Sequence, residues 1–170
     1  SPGGGPLAAN TGAGPIPGWA KALEMAEAAY GSVLPLEQLL AEAIHHAEAG
    51  VPVTAGGAAL ATEKSAELTV APGYAAVFEA LGRPLAEGDI LCNPALGATL
   101  RELAASGLQS FYDCPLARRI PAELESLGSP VSAEDLAAHR AQVRPPLSVS
   151  IRGATPYNLA PPTRLPYTHL

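Results

Sequence analysis

Between residues 94 and 107 the chain carries the pattern that most narrows its fold. Proline opens this run at Pro94 and glycine closes it at Gly107, while Leu96, Leu100 and Leu103 recur between them at i, i+4 and i+7. That spacing predicts a helix with one apolar stripe, which must be buried against another element. Phe111 and Tyr112 lead into a second predicted helix, with Asp113 as its N-cap and Leu116, Ile120, Leu124 and Leu127 along one face. Two amphipathic helices therefore pack on something, and the pattern alone does not name it.

Composition permits a core. With 48% hydrophobic and 15% charged residues in 170, the chain is too apolar and too weakly charged for disorder throughout. Its 17 Gly and 18 Pro imply many short elements rather than a few long ones. The net charge of -6 and the lack of any Lys or Arg run argue against nucleic-acid and anionic-membrane surfaces. No apolar run approaches the ~18 residues that span a bilayer, and the opening residues lack the layout of a signal peptide, so either the protein is cytosolic or a leader lies upstream.

Residues 1–14 read as a flexible linker or a cut edge. Pro17 and Gly18 then precede a helix with Trp19, Leu23, Ala26 and Tyr30 at helical spacing up to Gly31. The next helix opens at Pro35, turns Leu36, Leu39, Leu40, Ala43, Ile44 and Ala47 inward and Glu37, Glu42 and Glu48 outward, and stops at Gly50. A four-residue joint predicts that these two helices pack antiparallel. Over residues 51–89, Gly56-Gly57, Pro72-Gly73 and Gly82-Arg83-Pro84 predict only short helical turns joined by ordered loops. Ser132 and Asp135 have capping-box spacing for a short helix through Leu136, Ala137 and His139. Leu147, Val149 and Ile151 alternate with serines as a strand, Arg152-Gly153 turns the chain, and a weak partner strand falls near residues 157–159. The fold class is thus α+β, mainly helical, with a C-terminal β-hairpin.

Word order adds what periodicity cannot. The sequence L-x-x-T-L-x-x-L-A-x-x-G-x-x-x-F-Y-x-x-x-L-A-x-x-I, from Leu96 to Ile120, resembles the large subunit of the gamma-glutamyltranspeptidase (glutathione hydrolase) family. Further words fit in the same order: Gly14 with Gly18-Trp19, Ala43-Ile44 with Ala47, Gly50-Val51-Pro52-Val53, the loop from Gly82 to Asp89, Glu134-Asp135-Leu136-Ala137-Ala138, and Ser148 to Gly153. The resemblance covers residues 14–162 and implies a partial large-subunit domain over 15–162 with an atypical tail at 163–170.

A member of this family is expected to be part of an N-terminal nucleophile hydrolase, an α/β/β/α sandwich whose precursor cuts itself into large and small subunits. The resemblance implies γ-glutamyl transfer or hydrolysis, with glutathione as the typical substrate. The small subunit is the implied partner, and its N-terminal Thr is the nucleophile. Its own amine can serve as base, so no cofactor is called for. A cephalosporin acylase taking a glutaryl side chain, and a non-catalytic degenerate helical domain, are the competing readings. The family's nucleophile, oxyanion donors and carboxylate-binding arginine correspond to no residue of this chain, so no catalytic, substrate-binding or metal residue is assigned and the chain alone is expected to be inactive. Family members are often periplasmic or secreted.

Departures are visible. Cys114 stands where the family tends to have Gly, Ala13 replaces a Pro, and Pro121 falls inside a helix at a cost of roughly 3 kcal/mol or a kink. After Ala160-Pro161-Pro162 the chain departs from the family's glycine-containing continuation, which points to a truncated or frame-shifted coding sequence or to a fragment. Helices lacking the sheet they should cover would expose apolar surface and associate.

Other constellations have plainer readings. His45 and His46 are adjacent and point about 100° apart on a helix, unlike the same-face pair of a metal motif. Ser110, His139 and Asp135 supply the residue types of a serine triad without a G-x-S-x-G elbow. Gly3-Gly4-Gly5 lacks the Lys of a phosphate loop, and Thr168-His169 resembles the family's cleavage-site wording only by coincidence. Cys92 and Cys114 read as buried apolar thiols, although their separation permits a disulfide.

Overall fold

The computed structural model describes residues 15–79, 81–113, 115–126, 128, 129 and 131–159, leaving aside the side chains of 112–118. Helix α1 spans Pro15–Tyr30 and α2 spans Leu36–Ala49. Strand β1 (Val51–Pro52) follows at once, then α3 (Ala55–Leu68), α4 (Tyr74–Phe78) and β2 (Ile90–Leu91). Helices α5 (Pro94–Ser106), α6 (Ser110–Asp113), α7 (Pro115–Ser126) and α8 (Ala133–Ala138) come next. Strands β3 (Leu147–Ser148) and β4 (Tyr157–Asn158) complete the described elements. The chain divides after Arg140 into two units.

In the first unit the helix read from Pro94 is the hub. Asn93 caps α5 by accepting a 3.0 Å hydrogen bond from the Leu96 amide, Pro94 fills the first turn where no donor is needed, and Gly107 ends the helix at φ 84°. Its partner is α2. The Asn93 amide donates to the Ala47 carbonyl at 2.8 Å, which joins the start of α5 to the end of α2. Strands β1 and β2 pair antiparallel beside that joint, Val51 opposite Leu91 and Pro52 opposite Ile90, so α5 runs back along α2. Leu40 and Ile44 of α2 meet Leu100 and Leu103 of α5 in one cluster with Ile16, Leu108 and Phe111. Leu103 is its most buried member, 1% exposed.

Several expectations are corrected. The antiparallel partner of α2 is α5 and not α1, because α1 meets the cluster only through Ile16, Ala20 and Leu23. These fall at i, i+4 and i+7, so of the stripe expected from Trp19 to Tyr30 Leu23 packs inward as expected and Ala26 is half-buried, while Trp19 is 42% and Tyr30 83% exposed. The helix also starts earlier than expected, at Pro15, since Pro17 falls in the first turn where its missing N–H breaks no bond. Leu39 and Ala43 of α2 face outward, as does Leu96 of α5, 47% exposed. In place of Leu96 it is Gly97 that packs inward.

The Gly56-Gly57 pair does not break the chain. Thr54 caps α3 through a 3.1 Å bond from the Gly57 amide, so both glycines lie in the first turn of a 14-residue helix. The lead-in at Phe111 and Tyr112 is itself helical, and Asp113 closes α6 rather than standing outside a longer helix. Ile120 packs against the cluster and Leu124 is half-buried, while the Leu116 side chain and Leu127 lie outside the described residues. Helix α7 runs through a buried Pro121. The expected capping box is present, with Ser132 and Asp135 exchanging hydrogen bonds at the start of α8 and Leu136 buried behind them.

In the second unit β3 pairs antiparallel with β4, Leu147 opposite Asn158 and Ser148 opposite Tyr157. Ile151 and Ala154 exchange backbone bonds of 2.9 and 3.0 Å across Arg152 and Gly153, whose φ of 48° and 82° are both left-handed. Two positive φ angles in a two-residue loop match the right-handed strand twist, as the Arg152-Gly153 reading expects.

Truncating Leu103 to Ala leaves a cavity in the cluster and should cost about 2–5 kcal/mol, whereas Leu96→Ala should change stability by less than ~0.5 kcal/mol. Urea titrations of the two variants measure the difference, and equal losses would contradict the register assigned to α5.

Candidate functional site

The densest polar geometry lies on the seam between α2 and α5. Gly97 brings the α5 backbone so close that an added Cβ would sit 2.7 Å from Cγ of Glu48. The stem of Glu48 therefore crosses α5 at Gly97, and its carboxylate accepts from Nε and Nη2 of Arg101, both at 2.6 Å. Sequence reasoning placed Glu48 outward and missed this pair. Helical spacing of Gly97 and Arg101 by one turn is the signal that was available, but only the α2–α5 pairing reveals the partner.

A second clasp holds the loop after α4. Arg83 donates to both carboxylate oxygens of Asp89, at 2.5 and 3.1 Å, and to the Pro84 carbonyl at 2.9 Å. The Ala86 amide adds a 2.7 Å bond to the same carboxylate. Backbone bonds from Val53 to the Asp89 carbonyl and from Gly88 to the Val53 carbonyl pin this loop beside β1, with Leu85 buried beneath it. The loop expected from composition is thus ordered by one aspartate.

Charge follows geometry. The Arg101 hydrogen bonds hold the Glu48 carboxyl below its ordinary value, and Arg83 followed by the Ala86 amide does the same for Asp89. The Arg101 and Arg83 guanidinium groups are correspondingly raised. Asp135 is also lowered, first by the Ser132 amide and then by its hydroxyl. All three carboxylates are structural acceptors rather than proton donors poised near neutrality.

The remaining sequence constellations are not assembled. Ser110 donates its hydroxyl to the Gly107 carbonyl at 2.6 Å, Asp135 belongs to the capping box, and His139 ends α8. Among the described residues no hydrogen bond joins these three. His45 and His46 have ring centroids 5.6 Å apart and tilted by 56°, and His46 Nε2 lies 4.0 Å from Glu42 Oε2 one turn earlier. No group of three or more His, Cys, Asp or Glu among the described residues could hold a metal ion. Cys92 is a half-buried free thiol just after β2. Cys114, Ala13, Gly3-Gly4-Gly5 and Thr168-His169 lie outside the described residues. No described helix is long and apolar enough to cross a membrane.

Two predictions follow from the seam and the clasp. Gly97→Ala should destabilise the chain despite a helix-propensity gain of about 1 kcal/mol, and Glu48→Ala in the same molecule should recover part of the loss. A double-mutant cycle measures this, and simple additivity would contradict the crossing of Glu48 over Gly97. Depressed carboxyls stabilise fully above their ordinary values of 4.5 for Glu48 and 3.8 for Asp89, and that contribution is lost as pH falls through the lowered folded values. Stability should thus decline on acidification below about pH 4.5, and Arg101→Met with Asp89→Asn should flatten that decline in urea midpoints read from pH 7 to 3.

Comparison with known proteins places this helical layer. A family model described as Gamma-glutamyltranspeptidase matches residues 7–168. The oxamate amidohydrolase proenzyme of Klebsiella pneumoniae is 43% identical over 160 residues, covering 94% of this chain and 30% of that protein. The chain therefore spans less than a third of that relative's length. Among solved structures, the gamma-glutamyltranspeptidase of Helicobacter pylori superposes with a TM-score of 0.72 at 26% identity, over 82% of this chain and 40% of that one. The cephalosporin acylase of Bacillus halodurans superposes at 0.71 with 32% identity, over 84% of this chain and 27% of that one. The helices of the first unit and the two small antiparallel strand pairs, one in each unit, are a large-subunit stretch of the N-terminal nucleophile hydrolase fold, and the chain belongs to the gamma-glutamyltranspeptidase family.

Proposed function

We propose that this chain is the scaffolding part of the large subunit of an amide-cleaving enzyme that transfers or hydrolyses γ-glutamyl amides. The observation that supports this reading is the collinear family match through residues 7–168. In this reading the precursor cuts itself, and the new N-terminal Thr of the small subunit attacks the amide carbonyl with its own amine as base. The amine or amino acid leaves, and the acyl-enzyme then passes its γ-glutamyl group to water or to an acceptor amine. Glutathione is the expected donor. Residues 15–162 serve as one large-subunit domain in the assembled enzyme, with the small subunit as partner. The 170-residue chain alone is inactive on this reading, since the nucleophilic Thr belongs to the small subunit and the Ser110 hydroxyl of this chain is engaged by the Gly107 carbonyl.

A second reading is favoured by one observation, the 43% identity to an oxamate amidohydrolase proenzyme. Oxamate carries its carboxylate directly on the amide carbonyl, whereas a γ-glutamyl amide carries carboxylate and ammonium three carbons away. A glutaryl amide keeps the distant carboxylate and lacks the ammonium. Oxamate thus asks for a cation beside the reacting carbonyl, the other two ask for one further away, and only the γ-glutamyl group also needs an acceptor for its ammonium, which makes the three a discriminating set.

The test is to express the intact precursor and assay γ-glutamyl anilide, glutaryl anilide and oxamate. Self-cleavage followed by γ-glutamyl release is expected, with activity falling by at least about 10³-fold when the small subunit's N-terminal Thr is replaced by Ala. Oxamate hydrolysis without γ-glutamyl release would establish the second reading. A precursor that neither cleaves itself nor hydrolyses any of the three would leave the non-catalytic helical domain as the explanation.

A further inference from the structure

We draw no further inference here: the strongest candidate, the exposed apolar side chains Leu60 of α3, Val70 of the turn after it and Phe78 of α4, carries nothing because nothing in the structure shows what covers them.

Discussion

The close approach of α5 to α2 at Gly97 is the constraint on which the rest of the first unit depends. A helix pair can bring Leu40 and Ile44 onto Leu100 and Leu103 only if its backbones come near enough for the side chains to interdigitate. Gly97 supplies that proximity by having no Cβ, and the Glu48 stem fills the space the missing atom leaves. Gly50 plays the matching part at the end of α2, where φ of 88° turns the chain into β1 and an added Cβ would sit 2.6 Å from Cys92 Sγ. Both glycines are needed where the two halves of the α2–β1 and β2–α5 arrangement touch. Residues 53–89 are then an insertion between two paired strands, and within it α3 forms without a buried residue of its own while Leu85 is buried.

Charge in this chain secures geometry rather than performing chemistry. Glu48 spans 53 positions in sequence to reach Arg101, and Asp89 gathers a guanidinium and a backbone amide around a turn. Exposed ion pairs of this kind add little net stability, because solvent screens them and ordering the side chains costs entropy. Their value is positional. Each fixes one backbone segment against another where hydrophobic contact alone, being non-directional, would tolerate several registers.

The helices legible in sequence are those whose signals are local. Pro94 and Gly107 bound α5 as they should, Ser132 and Asp135 start α8, and Arg152-Gly153 makes the hairpin turn. What periodicity misjudged depended on partners distant in the chain. Trp19 looked like a core residue because aromatic residues at helical spacing usually are, yet Ile16 one turn earlier faces the cluster. Leu96 fitted the stripe of α5 until Glu48, from 48 residues away, claimed the surface beside Gly97. Gly56-Gly57 read as a break because glycine lowers helix propensity, and Thr54 two residues earlier outweighs that by capping the first turn. The Glu48–Arg101 pair was illegible for the same reason: neither residue's local context differs from an ordinary solvated charge. Family membership was legible because it rests on ordered words spread along the whole chain, each weak alone.

Apolar patterning and burial measure different things here. Leu147, Val149 and Ile151 alternate as a strand with one buried face should, yet all three are exposed, as are Trp19, Met25 and Leu60. A two-stranded hairpin has too little apolar area to bury a face by itself, so alternation of this quality is selected only where another layer lies against it. On the proposed reading pattern and burial agree. A large-subunit stretch spanning 30% of a relative keeps the α2–α5 core that its own residues complete and displays the faces that the remainder of the precursor would complete.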